Sequence, residues 1–259
     1  MELTPFVIAA AVLSGALVGF LLAVFGGGGS VLATPLLLYF VGVAEPHVAI
    51  GTSSVAVAAN AAVNLLGHGR GGRVKWPCAT VFALAGLAGA FAGSTLAKRI
   101  DGSDLLLAFA VAMAAIGLSM FRRPKSEGDP NVRITWPLTF RLAPVGLLTG
   151  AAAGFFGIGG GFLIVPGLML ATGMTMTNAA ASSLLSVTLF GAATSANFAL
   201  SGLVDWPLAG LVLLGGVLGG LLGLRAAGAL GSRAALGRRL FAALILVVAA
   251  YVAWRAVAG

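Results

Sequence analysis

The chain has 259 residues, 59% of them hydrophobic and 8% charged, with a net charge of +8 and a mean hydropathy of +1.07. Soluble domains carry about a quarter charged residues, so this composition excludes a water-soluble fold and describes a polytopic membrane protein. Its Lys and Arg lie in short loops between apolar segments, as cytoplasmic loops require, which argues against nucleic-acid binding.

The N-terminus, Met1-Glu2-Leu3-Thr4, lacks the basic region of a signal peptide, so the first apolar segment, 5–25, is expected to remain as a helix. A glycine run follows, Gly26 to Gly29 with Ser30, and then a short apolar segment, 31–43, with Pro35 in its first turns. At ~1.5 Å per residue that segment reaches only ~20 Å, short of the ~30 Å of hydrocarbon. Segments 46–66, 77–97 and 104–121 complete the first half. Cys78, the only cysteine, opens the fourth segment as a packing residue and excludes an intrachain disulfide or a cysteine metal site. A basic linker runs from Arg122-Arg123-Pro124-Lys125 to Trp136. The second half repeats the order at 138–156, 162–174, 177–199, 207–227 and 236–257. Its short second segment follows Phe156-Gly157-Ile158-Gly159-Gly160-Gly161 and carries Pro166.

The two halves are one unit written twice. Pro35 and Pro166 stand 131 positions apart (166 − 35), as do Gly15 and Gly146, Gly19 and Gly150, and Gly42 and Gly173. After a one-residue slip, Ser53 pairs with Ser183 and Trp76-Pro77 with Trp206-Pro207. A duplicated hydrophobic unit broken by glycine marks a secondary transporter with its site where the repeats meet. The expected fold is all-α: two five-segment repeats, each with a discontinuous short helix after a glycine-rich break. The division is 1–121 for the first repeat, 122–137 for a basic cytoplasmic linker and 138–259 for the second repeat.

Loop charge predicts that the repeats are inverted. Loop 67–76 carries Arg70, Arg73 and Lys75, whereas its counterpart 200–206 holds only Asp205. Loop 98–104 is mixed, whereas its counterpart near 225–239 holds four arginines and no acid. Equivalent loops therefore favour opposite faces, with the linker inside and both termini outside; Arg255 departs from the pattern. Glycines at four-residue spacing, Gly89/Gly93 and Gly215/Gly219/Gly223 among them, predict close helix packing and suit a homodimer as readily as an intrachain contact.

The glycine runs do not form a dinucleotide-binding loop, which needs a preceding strand and an acid about twenty residues on; no acid lies between Gly161 and Asp205. Irregular backbone at membrane depth is tolerated where it is buried in protein or lines a wet cavity. N–H groups freed at the start of a half-helix attract anions. The candidate substrate-binding residues are Gly27, Gly28, Gly29 and Ser30 with Thr52 and Ser53, and Gly159, Gly160 and Gly161 with Ser182 and Ser183. Asn60 is added as an intramembrane amide. Asn60 and Asn64 share a helix face, as ligands or as interhelical glue.

All seven acids, Glu2, Glu45, Asp101, Asp104, Glu127, Asp129 and Asp205, lie in loops or at segment ends, and no base sits mid-span. A carboxylate cation site and a carboxylate proton relay are therefore not expected. Proton coupling would fall to a titrating substrate or to His47 and His68 near segment ends. No nucleophile–base pair, metal cluster or nucleotide-binding loop is present, so neither an enzyme nor a nucleotide-driven pump is indicated, and no cofactor or metal is implied.

The doubled signature, with Gly51-Thr52-Ser53 and Ala181-Ser182-Ser183, resembles the sulfite exporter TauE/SafE family of bacterial permeases over nearly the whole chain. The resemblance implies a multi-pass permease of the bacterial cytoplasmic membrane that moves sulfite, a sulfonate or another organosulfur anion, and the two-repeat reading adds alternating access between the halves. It implies about eight spans, which agrees with ten segments if the two short helices are half-membrane elements. An anion channel, or a carrier for a non-sulfur organic anion, is the alternative.

Overall fold

The computed structural model describes residues 3–121, 128–157, 161–230 and 234–258. Helices fill nearly all of them, and among the described residues there is no strand beyond one bridge between Asp129 and Met174. This follows from the solvent: in lipid every backbone polar group must be satisfied internally, which a helix does within its own segment.

The first half consists of α1 (Pro5–Phe25), a 3₁₀ segment (Gly26–Leu32), a single α-turn α2 (Ala33–Leu36), a π-helical turn (Leu37–Val41), α3 (Pro46–Arg70), α4 (Trp76–Ala97) and α5 (Gly102–Phe121). The second half consists of α6 (Trp136–Phe156), α7 (Gly161–Thr172), α8 (Met176–Ala199), α9 (Trp206–Leu230) and α10 (Ala234–Ala258). Helix starts follow local rules. Proline occupies the first turn of α1, α3, α4 and α6, where its missing N–H costs nothing. Thr4 and Thr175 cap α1 and α8 by accepting the amides of Val7 and Asn178. Helix α3 runs four residues beyond the apolar segment, because Arg70 in its last turn complements the negative end of the helix dipole.

Glycines spaced 131 positions apart in the sequence share a positive φ. Gly26 and Gly157 end α1 and α6 at φ 63° and 65°, and Gly42 and Gly173 follow the short segments at φ 88° and 71°. Positive φ is strained for any residue with a Cβ, so each break needs its glycine.

The region after α1 differs from the expected irregular break. Gly26 to Gly29 do not form a loose loop but wind into a 3₁₀ helix, whose i→i+3 turn is reinforced by Ser30 Oγ donating to the Gly27 carbonyl at 2.8 Å. This segment folds straight back on α1: a Cβ at Gly29 would overlap the backbone of Leu21 and Leu22. Further along, Leu37 and Val41 pack with Val7 and Ala10 of α1. The 7, 4 and 5 residues of its three parts form one continuous helical return leg. At 1.5–2 Å per residue they reach roughly 25 Å, more than half the membrane.

Seven helices among the described residues are long and apolar enough to cross a membrane, with Pro5–Val41 counted as one; Leu163–Thr172 and Ala242–Ala256 are shorter apolar helices. Leu13, Leu17, Leu84, Phe91, Leu214 and Leu218 face outward on these helices, where lipid is the solvent.

The halves interlock through glycine. Helices α1 and α9 run in the same direction, with Gly15 backing onto Val212, Gly19 onto Gly216 and Gly219 onto Ala16. Helices α6 and α4 do likewise, with Gly146 on Phe82, Gly150 on Gly86 and Gly89 on Leu147. A Cβ at Gly19 or Gly150 would overlap the facing carbonyl, so these backbones touch. Between the two seams, α3 and α8 run in opposite directions, Gly51 beside Phe198 and Gly191 beside Ala58. The core between them is built on Phe82, Phe190, Val57, Leu184 and Ile164.

Candidate functional site

The two broken segments meet each other inside the bundle. The 3₁₀ segment packs against α7 and α8 as well as α1, and every residue from Gly26 to Leu32 is buried. Gly26 seats on α8, where a Cβ would overlap the Ala180 carbonyl, and Gly157 seats on Ile50 of α3. Each break therefore rests on the third helix of the opposite half.

Hydroxyl groups hold these contacts. The Gly27 amide donates to Ser183 Oγ at 2.9 Å, and Ser183 Oγ donates to the Ala180 carbonyl at 2.7 Å. Ser30, one turn on, places its hydroxyl over Gly27. One further turn along, Thr34 Oγ1 lies 2.9 Å from Ser53 Oγ of α3, which donates to the Ile50 carbonyl at 3.0 Å. Ser54 Oγ lies 2.8 Å from the Ile50 carbonyl and 2.5 Å from that of Gly157, and its single proton serves one of them at a time. Ser183, Gly27 and Ser30 at one end, and Thr34 and Ser53 at the other, thus form two hydrogen-bonded groups that mark a polar path from α8 along the broken segment to α3. All of their side chains are buried.

Thr52 and Ser182, 130 positions apart, share a different geometry. Thr52 Oγ1 accepts the Asp205 amide just before α9, and Ser182 Oγ accepts the Lys75 amide just before α4, each at 2.9 Å. These amides are helix-start donors with no partner inside their own helix, so each hydroxyl docks a helix of the other half. Asn60 stands apart, on α3 against Gly216 of α9. Gly28 and Gly29 are buried in the 3₁₀ segment, and Gly161 opens α7. Gly159 and Gly160 lie outside the described residues.

Two groups were missed by sequence reasoning. Thr34 carries a signal, since it and Tyr39 are the polar side chains of an otherwise apolar run. A second cluster joins the ends of α4 and α8. Lys98 Nζ donates to Asn197 Oδ1 and to Ser201 Oγ at 2.8 Å, and Asn197 Nδ2 donates to Ser94 Oγ at 2.7 Å. Nothing in one dimension brings Lys98 beside Asn197.

The chemistry of the path is that of a neutral polar lining. Among the described residues no group of His, Cys, Asp and Glu is placed to hold a metal. The path offers hydroxyls and backbone amides at the meeting point of two broken helices, the donor set that suits an oxyanion. The protons of Ser30, Ser53 and Ser183 now go to carbonyls one turn back, so serving an anion requires each hydroxyl to rotate.

The family model described as sulfite exporter TauE/SafE matches residues 11–252. The chain is 50% identical over 243 residues to a probable membrane transporter protein of Xylella fastidiosa (strain 9a5c), covering 93% of each chain. It is 27% identical over 233 residues to the probable membrane transporter protein YunE of Bacillus subtilis, covering 82% of this chain and 85% of that one. Over 165 residues it is 27% identical to the probable membrane transporter protein MJ0441 of Methanocaldococcus jannaschii, covering 62% and 61%. No solved structure matches significantly.

Proposed function

From the premise that the chain belongs to the sulfite exporter TauE/SafE family of membrane transporters, we propose that it carries a small sulfur oxyanion, sulfite or a sulfonate, between the two halves by alternating access. The protein is a multi-pass permease of the bacterial cytoplasmic membrane and not an enzyme. The observation that carries the proposal is the pair of breaks. Gly26 and Gly157 both turn at positive φ and seat on α8 and α3 respectively, next to Ser183 and Ser54.

The halves act as inverted repeats in this reading. Its support is that α3 and α8, offset by 130 positions (183 − 53), pack in opposite directions, whereas α1 with α9 and α4 with α6 pack in the same direction. The anion is received by the amides of Gly27 to Gly29, Ser30 and Ser53 from one side, and by Ser183 and Gly159 to Gly161 from the other. Thr52 and Ser182 tie each half to the helix starts of its partner half and move with them. Taking an anion out of water costs several kcal/mol, which charge-assisted bonds from amides and hydroxyls offset. Rocking of the α1–α9 and α4–α6 pairs about this point exposes it alternately to each face.

The test is solid-supported-membrane electrophysiology on proteoliposomes challenged with sulfite, a simple sulfonate, sulfate and acetate, with radiolabelled sulfite counterflow for electroneutral exchange. Saturable transport confined to sulfur oxyanions is expected. Equal response to acetate, or no counterflow of sulfite, overturns the substrate assignment.

A further inference from the structure

A polar face runs along α3 that the anion path does not use. Asn60, Asn64 and His68 fall at i, i+4 and i+8, from the middle of the helix to its end beside the basic loop carrying Arg70, Arg73 and Lys75. They are 1%, 1% and 6% exposed. Four of their polar atoms have no hydrogen-bond partner among the described residues: both amide atoms of Asn60, Asn64 Oδ1 and His68 Nδ1. His68 Nε2 lies 3.0 Å from the Ala23 carbonyl, so it carries the proton and the neutral ring leaves a lone pair on Nδ1. The face thus presents three acceptors and one donor. A buried polar atom without a partner costs about 1–3 kcal/mol, so three such side chains in a row require an occupant.

The other half is less polar on this face. The residues 130 positions on are Phe190, Thr194 and Phe198, of which Thr194 alone leaves a polar atom, its Oγ1, buried without a partner. Gly216 of α9 lies directly under the Asn60 amide, and its counterpart Gly86 of α4 lies directly under the Phe190 ring. The same glycine pocket accepts an apolar ring in one half and an unpartnered amide in the other. Packing alone is therefore satisfied by phenylalanine, and the amide answers a different demand.

Spacing identifies the occupant. Successive positions are ~6 Å apart along the helix. Asn64 Nδ2 closes that distance on the Asn60 backbone carbonyl at 3.0 Å, whereas the three acceptors cannot bond one another and are matched by one water donating bonds of ~2.8 Å to two of them. Water supplies the donors that the three acceptors lack and accepts from the one donor, and buried waters make about three such bonds. We propose that the Asn60–Asn64–His68 face is a water-binding track that leads solvent from the basic face to the membrane midplane, in the first half only. His68 stands at its mouth and holds the last turn of α1 next to the Gly26 break. The track is independent of which anion is carried.

The test needs no substrate. In a Cys78→Ala background, Asn60→Cys, Asn64→Cys and Phe190→Cys are treated in sealed vesicles with a small methanethiosulfonate reagent, which modifies hydrated thiols. Cys at 60 and 64 should react at least tenfold faster than Cys at 190. Equal rates at 60 and 190 overturn the proposal. Hydroxyl-radical footprinting of the unaltered protein guards against misfolded variants: the track predicts oxidation of His68 with Phe198 and Phe190 protected. Protection of all three also overturns it.

Discussion

The amide of Gly27 and the hydroxyl of Ser183 meet at 2.9 Å across 156 positions of sequence. The first glycine break of one half is thereby fastened to the third helix of the other. Their bond is buried, so removing the acceptor strands an N–H where no water replaces it.

Ser183→Ala should therefore lower stability by about 1–3 kcal/mol, the cost of an unsatisfied buried donor. Thermal unfolding in detergent, followed by tryptophan fluorescence, measures this. Ser195→Ala is the control, since the Ser195 hydroxyl is exposed and bonds only the carbonyl of Ala192 in its own helix. An unchanged midpoint for Ser183→Ala would mean that the break does not depend on this contact.

Gly19→Ala and Gly150→Ala should each reduce the yield of monodisperse protein severely, because the new methyl overlaps a backbone carbonyl that cannot move aside. Gly210→Ala, in α9 with nothing within 4 Å, should be neutral or stabilising by up to ~1 kcal/mol. Size-exclusion profiles of the three variants decide the matter; equal behaviour would refute a backbone-contact seam.

Gly26→Ala and Gly157→Ala combine a positive φ with a blocked Cβ position. Gly157 is left-handed at φ 65° and ψ 18°, which costs a non-glycine residue about 1–2 kcal/mol. Gly26, at φ 63° and ψ −145°, lies near a region that is essentially glycine-only, and the overlap adds to both. Transport should fall at least tenfold in both. Gly42→Ala shares the positive φ without the overlap, nothing lying within 4 Å, and should retain most activity. Activity lost equally in all three would assign the effect to backbone strain rather than to the seating of the breaks.

Lys98→Met removes the donor that ties Asn197 and Ser201 of the α8 end to α4. The ammonium is partly exposed, so a loss of about 1–2 kcal/mol is expected, less than for a buried charged bond. A double-mutant cycle with Asn197→Ala checks it: coupling near zero would show that the cluster is decorative.

Much of the architecture was legible because it is local. Hydropathy placed the long segments within a few residues of the helices, and the Trp-Pro pairs at 76–77 and 206–207 mark the starts of α4 and α9. The matched glycines 26/157 and 42/173 were visible as a repeat, and all four take a positive φ, although ψ differs between Gly26 (−145°) and Gly157 (18°). The glycine run itself was harder. Composition predicts a break, yet a run closed by Ser30 winds into a 3₁₀ helix once Leu21 and Leu22 press against it. The hydroxyls were legible as a set but not in their roles. Thr52 and Ser53 are neighbours, yet one docks the start of α9 and the other meets Thr34.

The sequence by itself determined the membrane setting, the order and approximate length of the apolar helices and the two points where they break. Each of these depends on the solvent and on backbone conformations that a few adjacent residues impose. Only the tertiary structure decided which helix faces which. Gly19 meets Gly216, Gly27 meets Ser183, and Asn60 rather than a phenyl ring fills the pocket over Gly216. Those pairings join residues from opposite halves, and their energy comes from close fit between surfaces that do not exist until both halves have folded.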